Sequence, residues 1–304
     1  MQYQPFPWVV LGGCERTKVP QVGSWPVGIA HGSGCDGIPR MRVARLAYIM
    51  FLTVLKRRLA YRGDLILQGL DEIMRGVMAF AMLSVYVART PEVAGWTRAE
   101  LTFILGFSMV PIALFHCLCG NLYQLSSVYI IQGNLDRVLL RPYPSFLQVC
   151  FDRLGIEDLS GAVLGFLVMA AAVAKLPHFS YDPLHLALLA LLMVSAFGVV
   201  VAVFMAFAAS GFWFEDRVGM VPPVYNLMDF GKWPNQIYHP ALRLLITFVI
   251  PFSFVAFYPA GMFTGHADAP VAMALATPVV ALVSLTLAAA MWRAGVRRYS
   301  GAGS

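Results

Sequence analysis

Runs of about twenty consecutive apolar residues recur along this chain, and that feature decides what it folds into. A helix of that length crosses the hydrocarbon core of a bilayer, where only structures that satisfy their own backbone hydrogen bonds persist. The runs fall near residues 65–88, 101–123, 159–176, 184–209, 240–263 and 271–292. With 59% hydrophobic and only 12% charged residues, and a mean hydropathy of +0.70, the chain reads as an all-α integral membrane protein with six transmembrane helices. Its formal charge of +6 would invite a nucleic-acid reading in a soluble protein. Here the Lys and Arg residues flank the apolar runs, which is a topology signal, so no nucleic-acid partner is expected.

Residues 1–40 contain Gly, Pro and Cys without period and lack the pattern of a signal peptide; they read as a disordered or dispensable segment preceding a six-span domain at 41–304. From Arg42 to Arg62, Leu46, Ile49, Met50, Val54 and Leu59 oppose Arg42, Arg45, Lys56, Arg57 and Arg58, the pattern of an amphipathic helix lying in the cytoplasmic interface. The side that carries this helix, the loops near 124–157 and 215–239 and the C-terminal Arg293, Arg297 and Arg298 holds most of the basic residues. The opposite short loops hold only Arg89, Arg98 and Lys175. Both termini are therefore expected in the cytoplasm, with the chain multi-pass in the inner (plasma) membrane.

Three charges, Asp71, Glu72 and Arg75, enter the first span. Their spacing of three and four residues lets one arginine pair with either carboxylate. An intramembrane charge is costly, so the set reads either as a neutralised group near the cytoplasmic headgroups or as part of a substrate path. His116 in the second span has no second ligand at metal spacing, and no metal site is expected. The five cysteines form neither a metal nor a disulfide pattern. Between the second and third spans, Gly133 to Pro142 form a polar, basic island with Asp136, Arg137 and Arg141 on one side of a short helix and Leu135, Val138, Leu139 and Leu140 on the other.

Two stretches carry a family resemblance: Gly133-Asn134-Leu135-Asp136-Arg137-Val138-Leu139-Leu140-Arg141-Pro142, and Phe230-Gly231-Lys232-Trp233-Pro234-Asn235-Gln236-Ile237-Tyr238-His239-Pro240 continued through Pro251 to Phe257-Tyr258-Pro259-Ala260. Together they resemble the membrane subunits of type-two ABC exporters, in the permease branch paired with a daunorubicin-type ATPase. The resemblance covers about residues 42–298. It implies a coupling helix on the cytoplasmic side between the second and third spans, with Leu135, Asp136, Arg137, Leu139, Leu140 and Arg141 docking on the ATPase. It also implies a fifth span broken around Pro251, Tyr258 and Pro259 with an outer re-entrant turn. The implied partners are a cytoplasmic ABC ATPase dimer, a second permease chain (identical or paralogous) and membrane lipid. The chain carries no Gly-x-x-x-x-Gly-Lys-Ser/Thr loop, so it is expected to bind no cofactor and to be no enzyme, Mg-ATP belonging to the partner. The competing reading is a secondary transporter or channel that uses Asp71, Glu72 or His116 as a proton or ion relay.

Overall fold

The computed structural model describes residues 52–53, 55–56, 62–89, 92–141, 143–177, 179–214, 221–266 and 268–301. The expectations for residues 1–40, and nearly all of that for the amphipathic helix at 42–62, lie outside the described residues, as does the acidic start of the loop at 215–239. The described chain is almost wholly helical: α1 (Arg62–Arg89), a two-stranded hairpin of β1 (Glu92–Val93) and β2 (Trp96–Thr97), α2 (Arg98–Cys119), α3 (Leu135–Leu139), α4 (Ser145–Asp152), α5 (Leu159–Val173), α6 (Pro183–Ser210), α7 (Val221–Met228), α8 (Pro240–Leu244), α9 (Phe257–Thr264) and α10 (Val271–Arg298). Four helical runs, Arg98–Ile130, Ile156–Val173, Pro183–Ser210 and Val271–Arg298, are long and apolar enough to cross a membrane, and the bent pair Pro240–Val249 with Phe252–Thr264 makes a fifth if counted as one span. This is an all-α membrane protein.

The run that starts as α2 is the hub, 72% of its most apolar window being buried against 22% for α10. Its start is fixed by a capping box: Thr97 Oγ1 accepts from the Glu100 amide, and the Glu100 carboxylate takes the Thr97 amide at 2.7 Å. Past Cys119 it tightens into a 3-10 turn and then widens into a π-turn at Leu125–Ile130, so the helix continues well beyond the expected end near residue 123. Against its apolar flank lies α5, and there the two backbones nearly touch. A Cβ on Gly106 would stand 2.6 Å from Met169 N and 2.9 Å from Gly165 O, so only glycine permits the approach. On the other flank, Phe115 stacks on Phe204 of α6 at 4.4 Å.

The segment expected to be the fifth span has a different course. Phe212 packs its ring on Trp292, near the C-terminal end of α10, at 5.8 Å. Gln236 Nε2 reaches the carbonyl of Asp268, three residues before α10 begins. About 30 Å of helix separates those two points. Phe212 and Gln236 thus lie at opposite ends of α10, although the stretch 215–239 reads from sequence as a loop on one side, and Pro222 and Pro223 fall in the first turn of α7. The bent pair that follows leaves from and returns to the same end: Asp268 holds Gln236, and His266 Nε2 lies 3.2 Å from the Gly95 carbonyl in the β-hairpin. Its two arms meet at 71°. Pro251 sits at the bend, whereas Tyr258 and Pro259 occupy the first turn of α9, where the missing N–H of Pro259 breaks nothing.

A buried polar knot holds the bend. Asn235, 2% exposed, donates to Ser253 Oγ at 3.0 Å and accepts from it at 3.1 Å, with Tyr258 OH at 3.4 Å, Thr247 Oγ1 at 3.5 Å and the Arg243 guanidinium on its carbonyl at 3.2 Å. Asn235→Leu removes both Asn235 bonds to Ser253, leaves the buried Ser253 hydroxyl only Thr247 Oγ1 at 3.3 Å, and is expected to cost about 1–3 kcal/mol, read as a lowered melting temperature of the detergent-purified protein. Gly106→Val is expected to cost a similar amount by overpacking, about 1–3 kcal/mol, whereas Ala substitution at the exposed Leu282 leaves the melt unchanged.

Candidate functional site

The polar island forms a compact module at the end of the bundle where α2 finishes and α10 ends. Gly133, at φ +71°, turns the chain out of the π-turn, a left-handed conformation that suits glycine. Asn134 Nδ2 then donates to the Val128 carbonyl at 2.9 Å, tying the start of α3 to the preceding turn. Helix α3 is too short to be stable alone. It is held by what lies beneath: Leu135 is fully buried and Val138 nearly so, and Gln148 of α4, itself 2% exposed, donates from Nε2 to the carbonyls of Val138 at 3.1 Å and Tyr143 at 2.6 Å.

This corrects one residue of the sequence expectation. Leu135 does not belong to an outward docking face; it is the peg that seats α3, because on a single helical turn positions 135 and 138 share the face that meets α4. The exposed set is Asp136, Arg137, Leu139, Leu140 and Arg141, with Leu140 86% exposed on a protein surface that faces no core. Two solvent-facing leucines among three charges form an apolar spot with a charged rim, a pattern of surfaces that meet partners.

Residues that the sequence reading missed fasten the module. Asn121, buried at the end of α2, donates to the Val149 carbonyl at 2.6 Å and to Tyr129 OH at 2.8 Å, and Tyr129 OH donates to Asp152 Oδ2 at 2.6 Å. Trp292 Nε1 of α10 donates to Ser145 Oγ at 3.1 Å while its ring meets Phe146 edge-on. A Cβ on Gly301 would lie 3.2 Å from Asp136 Oδ1, so the segment after α10 passes beside α3. Burial pushes the Cys150 thiol well above its ordinary pKa, with Cys119 as its hydrogen-bond neighbour, so Cys150 serves as packing rather than as a nucleophile. The one signal that sequence offered for this set was polar Asn and Gln inside apolar runs.

The charged group expected in the first span lies on α1 and pairs within itself. Arg75 Nη2 lies 2.6 Å from Glu72 Oε2 and 3.2 Å from Asp71 Oδ2, pairing with both carboxylates where the spacing alone allowed either. Counting 1.5 Å per residue back from Arg89, Asp71 lies about 27 Å along α1, close to one hydrocarbon thickness. The group therefore sits toward the α3 end, with Glu72 close against Gly161 at the start of α5. His116 is set among aromatic rings, stacked on Tyr123 and edge-on to Tyr225, whereas the ion pairs of Arg75 are with Glu72 and Asp71.

Comparison with curated proteins and with solved structures returned no match. A family model described as ABC-2 family transporter protein matches residues 73–303, from within α1 through the end of α10, and so takes in both the module and the bent pair. The chain belongs to the ABC-2 transporter family, as a membrane permease component of an ABC transporter.

Proposed function

We propose that this chain lines the translocation pathway of an ATP-driven exporter, together with a second permease chain, identical or paralogous, and a separate ATPase dimer of the daunorubicin type that holds Mg-ATP. In this reading α3 is the coupling helix, and Asp136, Arg137, Leu139, Leu140 and Arg141 are its docking face. The observation that carries the reading is the exposure of Leu139 and Leu140 on a helix too short to stand alone, yet fastened by Gln148 and, through α4, by Trp292. An exposed apolar pair on a rigid seat suits insertion into a groove of a soluble protein.

We infer six crossings: α1, α2, α5, α6, the stretch 212–236 and α10, with α8 to α9 as a re-entrant hairpin at the end opposite α3. The module then lies on the cytoplasmic side of the inner membrane with both termini, which is the side that collects the basic residues. ATP binding would draw the coupling helices together. The motion would pass through Asn121 into α2 and through Trp292 into α10, switching the pathway between its two openings. Among the described residues the opposite side offers a two-strand hairpin, the re-entrant α8 to α9 pair and short turns, little surface for a delivering protein, which favours export.

Leu140→Asp combined with Arg141→Glu is expected to abolish copurification of an ATPase subunit from the native cell, as judged by mass spectrometry of the mild-detergent complex, while the melting temperature stays within a few degrees of wild type. Recovery of the ATPase with that variant sinks the coupling assignment. For the charged group, Arg75→Leu is expected to lower the membrane yield by leaving two carboxylates unpaired, and adding Asp71→Asn and Glu72→Gln to restore it. Transport separates the two readings in that triple variant: a neutralised group predicts that transport is kept, whereas a relay predicts normal insertion with loss of pH-dependent transport.

A further inference from the structure

At the end of the bundle away from α3, a cavity of about 760 Å³ opens between α1, the start of α2 and α5. That volume lies within the range of small-ligand sites. Its deep walls are apolar, with Val77 and Phe80 on α1 facing Leu164 and Val168 on α5. Its mouth is charged, with Arg98 and Lys175 both lining it. The third charged residue there, Glu100, is already committed, its Oε2 taking the Thr97 amide at 2.7 Å and the Thr97 hydroxyl at 2.8 Å. Arg98 Nη2 lies 3.5 Å from the neutral Ser84 hydroxyl of α1, so the charges of Arg98 and Lys175 both face a mouth whose carboxylate is occupied.

The placement of those cations is informative. Positive residues are disfavoured on this side; Arg243 of α8 is held on the Asn235 carbonyl, whereas Arg98 and Lys175 converge on one cavity. From Leu164 to Ala172 the α5 wall is about 12 Å tall, close to the depth of one leaflet. A ligand that fills the space needs an apolar chain of about half a bilayer and an anionic head at the interface. We propose that this cavity binds one anionic phospholipid from the leaflet opposite α3, its acyl chain between α1 and α5 and its phosphate between Arg98 and Lys175. The inference goes beyond the exporter reading and needs only that the chain is embedded in a bilayer.

Native mass spectrometry of the detergent-solubilised full chain tests it, with phosphatidylglycerol and phosphatidylcholine of identical acyl chains as competing probes. The wild type is expected to retain one phosphatidylglycerol with about tenfold preference over phosphatidylcholine, the scale of two interfacial cations. Arg98→Gln with Lys175→Gln, both exposed side chains, is expected to bring the two lipids level, and Ala171→Trp, which fills the space between the walls, to release both. Excess inorganic phosphate is expected to leave the lipid in place. Equal retention of the two lipids by the wild type overturns the proposal. So does undiminished preference in the double glutamine variant, and so does displacement by phosphate, which would make this a simple anion site.

Discussion

A bilayer interior offers no water to an interrupted helix, and the hydrogen bonds of Asn235 are what allow this chain to interrupt one there. Around Ile250 and Pro251 the helical ladder stops and the chain turns through 71°, which would leave backbone and hydroxyl groups without partners in an apolar setting. Asn235 brings one side-chain amide and one carbonyl oxygen to Ser253, Thr247 and Tyr258, and its backbone carbonyl to Arg243. A fully satisfied polar knot of this kind fixes a single geometry, whereas a partly satisfied one would not. With the bend fixed, Gly231 can lie against the Phe252 carbonyl, Phe252 can meet Phe204, and Phe263 can close against His185 at the far end of α6.

The other end of the bundle uses the same economy in a wetter place. One buried amide, Gln148, fastens α3 from below, another, Asn121, fastens α4 to the end of α2, and the indole of Trp292 fastens α4 to α10. The short helix therefore acts as a rigid protrusion with roots in two long helices. Displacement applied to Leu140 is delivered to the hub and to the last helix together. A protrusion rooted only in its neighbouring loops would instead absorb the motion as bending.

Apolar run length made the membrane class and most helices legible, since α1, α5, α6 and α10 begin within a few residues of the expected positions. Residues 212–236 were not legible, because Asp216, Asp229, Lys232 and three prolines read as a polar loop, while 240–263 has the length and apolarity of a span. Hydropathy cannot tell a hairpin that turns back from a helix that goes through; only the pairing of Gln236 with Asp268 distinguishes them. In the module, residue types singled out Asp136, Arg137, Leu139, Leu140 and Arg141, which are exposed, and Leu135, which is buried, because a helix of one turn does not present all four apolar residues on one side. Asn121, Tyr129, Gln148 and Trp292 escaped: their partners lie 5 to 147 residues away, and a polar residue inside an apolar run does not announce which partner it meets.

The bond from Trp292 to Ser145 also orders events during synthesis. Ser145 leaves the ribosome long before Trp292 does, so α4 and the short helix above it must wait for the last helix of the chain before their seat is complete. A nascent or truncated chain presents that seat unfinished, with the ring of Phe146 uncovered. The finished seat of the short helix is thus a record that synthesis has passed α10.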